Sequence, residues 1–321
     1  MKVLVTGAGG FLGSHLVDRL LKSGNQVTGI DNWITGNPKN LSHLVGNKNF
    51  EIFEEDVCSF DSFKSLKADI KYDRIYHLAC PASPADYSSF PIETMMVSSV
   101  GTKNCIELAL QQGARFFLAS TSEVYGDPSI NPQHEKYWGN VNPIGPRSMY
   151  DEAKRFAEAM TSAYARSYGL DARIIRIFNT YGPRMRPGDG RVIPNFISQA
   201  LTGKPVTIYG EGKQTRSFCF VDDLIEGIIL LMESTDPSIT GKPCNIGNPR
   251  EMSMNDLVNA IESLIGHGVA KTNRPFPEDD PKMRRPDIEL ARRALGWEPK
   301  VKLEDGIKIT IDWFKEELKT P

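Results

Sequence analysis

Charge of one sign, paired cysteines and long apolar runs are all missing from this chain, and each absence closes off a class of function. The 38 basic and 40 acidic side chains leave a net charge of −2, so no basic face for nucleic acid is expected. Five cysteines (Cys58, Cys80, Cys105, Cys219 and Cys244) are scattered, odd in number and never spaced C-x-x-C. That pattern argues against a disulfide framework or a zinc site and predicts reduced thiols in a cytoplasmic protein without a metal. The five histidines have no metal-ligand spacing either. No apolar run reaches the roughly 18 residues that a membrane helix needs, and β-rich sequence begins at residue 2, so neither a membrane span nor a signal peptide is expected. Internal repeats and low-complexity tracts are also lacking. With 321 residues, 40% of them hydrophobic, the chain has ample material for a core, in two lobes or in one large α/β domain with a smaller cap.

What is present is an alternation of β-rich runs and helical periodicity. Lys2 to Thr6 leads into Gly7-Ala8-Gly9-Gly10-Phe11-Leu12-Gly13. Ser14 to Lys22 then carries apolar residues at helical spacing (Leu16, Val17, Leu20, Leu21). In a strand–glycine turn–helix unit the glycines let the backbone approach a diphosphate, and the helix N-terminus offers free N–H groups and a positive dipole end. A second strand, Gln26 to Ile30, ends in Asp31, 18 residues after Gly13. An acid there can accept both ribose hydroxyls and would repel a 2′-phosphate, so NAD is expected rather than NADP. Further runs at 50–53, 74–79, 115–119, 173–178 and 243–246 continue the pattern, with a helix predicted over 94–112. Asp56 and Val57, after the third run, should lie near an adenine. The expected fold is α/β: a Rossmann-type doubly wound parallel sheet of about seven strands with a smaller C-terminal α/β substrate lobe, binding ligands at the carboxyl ends of the strands. The expected division is residues 1–178, rejoined by about 218–247, for the dinucleotide, and 179–217 with 248–317 for the substrate.

Polar loops follow three of the predicted strands: Ala79 to Ser83, Ser120 to Gly126 and Asn179 to Arg184. Between them comes Tyr150-Asp151-Glu152-Ala153-Lys154. On a helix, Tyr150 and Lys154 stand one turn apart on one face. Ser148 can cap that helix, and Ala153, Phe156, Ala157 and Met160 form its apolar stripe. A tyrosine beside an ammonium is a candidate base. Lowering its pKa from about 10 by roughly 3 units takes about 4 kcal/mol of preference for phenolate. A lysine ammonium and an oxidised nicotinamide could supply that. The stretch from Asp127 to Arg147 is rich in Pro, Gly and Asn and too long for an ordinary connection, so it is expected to cover a site, with Tyr137 and Trp138 packed on something. Arg184, Arg186 and Arg191, the Tyr209 to Arg216 run and the Asp279 to Pro286 run put arginines on loops of one lobe, which suggests an anionic ligand such as a diphosphate.

These residues also match a known family. Cys80-Pro81-Ala82-Ser83-Pro84, Thr121 to Pro128, Tyr137-Trp138-Gly139-Asn140-Val141-Asn142-Pro143-Ile144-Gly145, Ile177 to Met185 and Asp189-Gly190-Arg191-Val192 carry the likeness. Over essentially its whole length the chain resembles the extended short-chain dehydrogenases/reductases, and within them the UDP-glucuronate decarboxylases. The resemblance implies NAD-dependent decarboxylation of UDP-glucuronate to UDP-xylose through a 4-keto sugar, with a hydride stored transiently on NAD. An NAD-dependent epimerase or 4,6-dehydratase acting on another nucleotide sugar is the alternative enzyme. A non-catalytic NAD-binding protein is the alternative outside enzymes, and the intact Thr121, Tyr150 and Lys154 argue against it.

By resemblance, Thr121 hydrogen-bonds the reacting hydroxyl, Tyr150 is the base, and Lys154 holds the nicotinamide ribose. Ser122 stands where dehydratases place an aspartic acid. Glu123 and Arg284 handle the sugar carboxylate and the C5 proton. Cofactor contacts are expected from Gly7, Gly10, Phe11, Leu12, Gly13, Asp31, Asn32, Asp56, Val57, Leu78 and Ala79. Substrate contacts are expected from Pro84, Tyr87, Asn179, Arg184, Arg191, Val192, Tyr209 and Arg216. Met96 and Ser98 depart from the lysine and asparagine of many relatives. The family pattern also implies a homodimer built from the Tyr150 helix and its neighbour near 94–112.

Overall fold

The structure, a computed structural model, describes residues 1–321 except 60–62, 64–69, 277, 278, 280, 282, 320 and 321. Two residues of the Asp279 to Pro286 run, Asp280 and Lys282, thus lie outside the described residues. Seven strands form one sheet. In chain order they are β1 (Lys2–Thr6), β2 (Gln26–Asp31), β3 (Phe50–Glu54), β4 (Arg74–His77), β5 (Arg115–Thr121), β6 (Ala172–Ile177) and the strand Pro243–Ile246. Their spatial order is Pro243–Ile246, β6, β5, β4, β1, β2, β3, and every neighbouring pair is parallel. This is the Rossmann-type sheet. Its strands read as continuous apolar runs because helices cover both faces.

Alternation along each strand divides the core. Val3 and Val5 face one side with Leu16 and Val17 of α1 (Phe11–Lys22). Leu4, Ile75, Phe116 and Ile174 face the other. There they meet Cys105, Ile106 and Ala109 of the helix Thr102–Gln112, and Ala157 of the helix Ser148–Tyr168. Each fully buried Val, Leu, Ile or Phe side chain among these contributes about 1.5–3 kcal/mol. The first core continues into the C-terminal part through Phe196, Leu257 and Phe314. Among the described residues three small sheets accompany the main one: Thr180–Tyr181 with Cys219–Phe220, Val206–Tyr209 with Lys271–Arg274, and Thr215–Ser217 between Glu251–Ser253 and Met283–Arg284.

Several local expectations differ from the structure. The 94–112 helix starts earlier and is broken in character: α2 (Pro84–Ser89) and α3 (Pro91–Met96) precede a π-turn over Val97–Gly101, after which α4 (Thr102–Gln112) resumes. Ser99 Oγ donates back to the Met95 carbonyl at 2.7 Å and the Met96 carbonyl at 3.3 Å, competing with the regular ladder. Helix α5 (Ser148–Tyr168) begins at Ser148 itself, so Arg147, not Ser148, is the cap residue, and no side chain caps it. Phe156 leaves the apolar stripe and is 52% exposed, while Trp138, expected to pack, is 87% exposed. Tyr137 does pack, stacked on Tyr125 with ring centroids 6.0 Å apart. Strand β4 ends at His77, leaving Leu78 and Ala79 in the following loop, and β5 runs two residues further than expected, to Thr121. Among the described residues no helix is long and apolar enough to cross a membrane.

Candidate active site

The site grows from the edge where β1 and β4 lie side by side and the strand order reverses direction, the place where such sheets leave a crevice. The turn after β1 passes so close to its neighbours that side chains are excluded. Gly7 has φ +72°, and a Cβ there would lie 2.8 Å from the Ala79 backbone nitrogen. At Gly13 a Cβ would lie 1.9 Å from the Gly7 carbonyl oxygen. Helix α1 starts directly behind, with no side-chain cap and no acid in its first turn, so its N–H groups remain available to an anion. Asp31 closes β2. Its carboxylate accepts from the Gly9 N–H at 2.8 Å and the Trp33 N–H at 2.9 Å. Burial pushes its pKa up, against the pull of those two N–H groups.

Two cavities share Gly7, Gly10, Leu78 and Cys80 and form one crevice. The smaller, about 310 Å³, is lined by Asp31, Asn32, Asp56, Val57 and Ala79. Asn104 Nδ2 holds the Val57 carbonyl there at 2.9 Å. The larger, about 580 Å³, is lined by Phe11, Leu12, Gly13, Pro84, Tyr87, Thr121, Ser122, Glu123, Tyr150, Lys154, Asn179, Arg184, Arg191, Val192, Tyr209, Arg216 and Arg284. Every residue singled out from the sequence as a cofactor, substrate or catalytic contact therefore faces one or the other cavity.

Tyr150 and Lys154 project from one face of α5, as their spacing requires. Tyr150 is buried and its ring stacks on Tyr87, with centroids 4.9 Å apart and planes 13° from parallel. Lys154 Nζ donates to the Ala119 carbonyl at 2.9 Å and lies 5.9 Å from the Tyr150 ring centroid. Burial raises the Tyr150 pKa well above the ordinary tyrosine value. Cys80 and Glu123 add to the rise, while a hydrogen bond with Thr121 opposes it. Below this layer His77 is buried and neutral, held down to about 3 by burial and by Lys154. Its ring bridges the hydroxyls of Thr6, at 2.8 Å, and Thr102, at 3.2 Å.

Glu123 and Arg284 meet although they are 161 positions apart in the chain. The guanidinium is bidentate on the carboxylate, at 2.5 and 2.7 Å. Arg147 Nη2 adds a third bond to Glu123 at 2.7 Å. Burial opposes ionisation of Glu123, but Arg284 and Arg147 outweigh it and hold the carboxyl down at about 2. Arg284, expected to await an anionic substrate, already has a carboxylate partner in this structure.

The other arginines pair as well. Arg184 donates to Asp18 of α1 at 2.7 Å, Arg191 to Asp189 at 2.6 and 2.9 Å, and Arg186 to Asp86. Arg184 Nη1 is still buried without a hydrogen-bond partner among the described residues, and its residue lines the larger cavity.

Thr35, Asn37, Asn40 and Arg147 also line the crevice and are not among the contacts expected from the sequence, and Cys80, expected only as part of the loop after β4, lines it too. Arg147 had a usable signal, since it lies three positions before Tyr150 at the helix start and so shares its face. Asp151, beside Tyr150, was quoted only as part of the five-residue motif. Burial and the nearby Glu123 raise its carboxyl to about 7. All five cysteines are free, and among the described residues no cluster of His, Cys, Asp or Glu is placed to hold a metal.

A glycine turn on a parallel sheet, with a tyrosine and a lysine one helical turn apart at its edge, defines an extended short-chain dehydrogenase/reductase. The chain belongs to the family described as GDP-mannose 4,6 dehydratase, whose model matches residues 4–310. Among curated proteins it is 49% identical over 317 residues to UDP-glucuronic acid decarboxylase 1 of Xenopus tropicalis, covering 99% of this chain and 73% of that one. It is 49% identical over 322 residues to UDP-glucuronic acid decarboxylase 3 of Arabidopsis thaliana, covering 100% and 91%. Among solved structures it superposes with a TM-score of 0.87 and 31% identity on a UDP-glucuronic acid 4-epimerase from Bacillus cereus in complex with UDP-glucuronic acid and NAD, covering 99% and 100%.

Proposed function

We propose that this chain is an NAD-dependent UDP-glucuronate decarboxylase that forms UDP-xylose through a 4-keto sugar. The observation that carries the reading is the placement of a Glu123–Arg284 pair in the same cavity as Thr121, Tyr150 and Lys154. A base for alcohol oxidation and a carboxylate-binding group then address adjacent carbons of one sugar acid. The likeness to decarboxylases supports the substrate.

The turn from Gly7 to Gly13 fits a dinucleotide diphosphate, because it leaves no room for side chains and leads into a helix N-terminus free of acids. Asp31 would hold the adenosine ribose, and Asn32, Asp56 and Val57 would line the adenine. When bound, NAD supplies a reversible store for the hydride at sugar C4. The protein's residues do the rest. Thr121 orients the C4 hydroxyl and Tyr150 accepts its proton, with Lys154 favouring the phenolate. Oxidation leaves a β-keto acid, whose C5 carboxylate departs as CO2 while its electron pair moves to the carbonyl oxygen as an enolate. Arg284 meets the substrate carboxylate by giving up part of its hold on Glu123, and Arg147 keeps Glu123 ionised. Glu123 positions the donor that returns a proton to C5. Ser122, unable to ionise near neutral pH, gives no acid for water expulsion, which disfavours the dehydratase. Asn179, Arg184, Arg191 and Arg216 hold the UDP part, with residues 179–217 and 248–317 serving the nucleotide sugar and residues 1–178 with 218–247 serving NAD.

Measuring CO2 release from UDP-glucuronate with substoichiometric NAD+ tests the proposal. Many turnovers per NAD+ are expected. A C4 epimer formed without CO2 would replace the decarboxylase reading with the epimerase.

A further inference from the structure

Arg284 stands on a strand only two residues long, and one buried residue holds the segment behind it with its main chain and its side chain. Gln133, in the long loop before α5, is completely buried. Its N–H donates to the Arg285 carbonyl at 2.8 Å, and its own carbonyl accepts from the Asp287 N–H at 2.8 Å. Its side-chain Oε1 accepts from the Arg285 N–H at 2.8 Å. Nε2 donates to the Ile130 carbonyl at 2.6 Å, which sets the amide so that its oxygen faces Arg285. Every polar atom of Gln133 is used, and three of them grip residues 285–287.

The same anchor reaches the other half of the Glu123–Arg284 pair. Asn245, on the outermost strand of the main sheet, donates through Nδ2 to the Gln133 carbonyl at 3.0 Å and to the Asp287 carbonyl at 3.1 Å. Its Oδ1 accepts from the Tyr125 hydroxyl at 2.8 Å. Tyr125 closes the short helical turn Ser122–Tyr125 that carries Glu123. Both partners of the pair are therefore referenced to one residue of the rigid sheet, Glu123 through Tyr125 and Arg284 through Gln133.

We infer that Gln133 is a positioning residue for Arg284: it fixes the backbone from which the guanidinium reaches Glu123 and the sugar carboxylate. Gln133 lines neither cavity, so it acts only through Arg284. This inference rests on the reading of Arg284 as the group that meets the substrate carboxylate. Without the Oε1 acceptor the 285–287 segment loses one of its three ties to the loop, and Arg284 samples positions that miss the carboxylate.

The test compares wild type with Gln133→Leu, which keeps the side chain's approximate shape and removes its polar atoms. The readouts are kcat/KM for UDP-glucuronate, affinity for UDP alone, and the share of product released as the 4-keto pentose. A fall of about tenfold in kcat/KM is expected, as for loss of one well-placed hydrogen bond, with a larger keto share and UDP affinity unchanged within about twofold. Unchanged kcat/KM would overturn the inference. So would UDP affinity falling in step with kcat/KM, because that marks a general structural loss. Should Q133L fail to fold, Gln133→Asn carries the same criteria, since it keeps the polar atoms and shortens their reach. Wild-type protein that releases no CO2 is a different failure, of the substrate assignment itself, and is seen before any variant is made.

Discussion

Tyr150 is held protonated by its own surroundings. Burial and the neighbouring Glu123 raise its pKa, so it can serve as a base only once positive charge arrives beside it, which NAD+ would bring next to Lys154. Replacing Tyr150 with Phe should lower turnover by about a thousandfold, the scale of lost general-base catalysis, while folding and NAD binding persist. Near-normal turnover in that variant would remove Tyr150 from the chemistry. Asp151 makes a different prediction. Its carboxyl is raised to about 7 in the fold, by burial first and Glu123 second, against about 3.9 when unfolded. The folded state therefore binds more protons across that window, and stability falls as pH rises from about 4 to 7. Asp151→Asn should flatten the decline and raise the melting temperature at pH 8 relative to wild type. An unchanged pH slope would contradict the assignment.

The β1–α1 turn is the element on which the cofactor reading depends. A methyl at Gly13 would sit 1.9 Å from the Gly7 carbonyl oxygen, and backbone cannot give way cheaply. Gly13→Ala should cost about 3 kcal/mol of stability and abolish NAD binding, as calorimetry and denaturant titration would show. Wild-type affinity would mean that the turn does not carry the diphosphate. Elements of this kind were legible in the sequence because they depend on local signals: Val-Leu-Val before a glycine run, and Tyr150 and Lys154 at helical spacing. The π-turn at 97–101 was not, since side-chain bonds from Ser99 to the carbonyls behind it leave no mark on periodicity. Nor was the pairing of Glu123 with Arg284, which joins segments 161 residues apart through a chain of tertiary hydrogen bonds. Trp138 reads as a packing residue by type and is nonetheless exposed, because hydrophobicity alone does not say which loop side chains find a partner.

At the scale of the whole molecule, the sheet provides a rigid edge and the C-terminal part brings arginines to it. Met95 and Met96 of α3 and Phe156 of α5 are exposed apolar side chains. Exposed apolar side chains on these helices are what the homodimer expected from the family resemblance would bury. Phe156→Asp should shift sedimentation toward monomer if α5 forms the interface, and an unaltered profile would place the interface elsewhere. The central claim is a redox-neutral decarboxylation in which the C4 hydrogen is stored and returned while C5 takes a proton from solvent. The most direct test runs the reaction with UDP-glucuronate and catalytic NAD+ in D2O and locates deuterium in the product by NMR. The account predicts UDP-xylose with one deuterium at C5 and protium retained at C4. Deuterium at C4, or no UDP-xylose from folded protein that binds NAD, would contradict it.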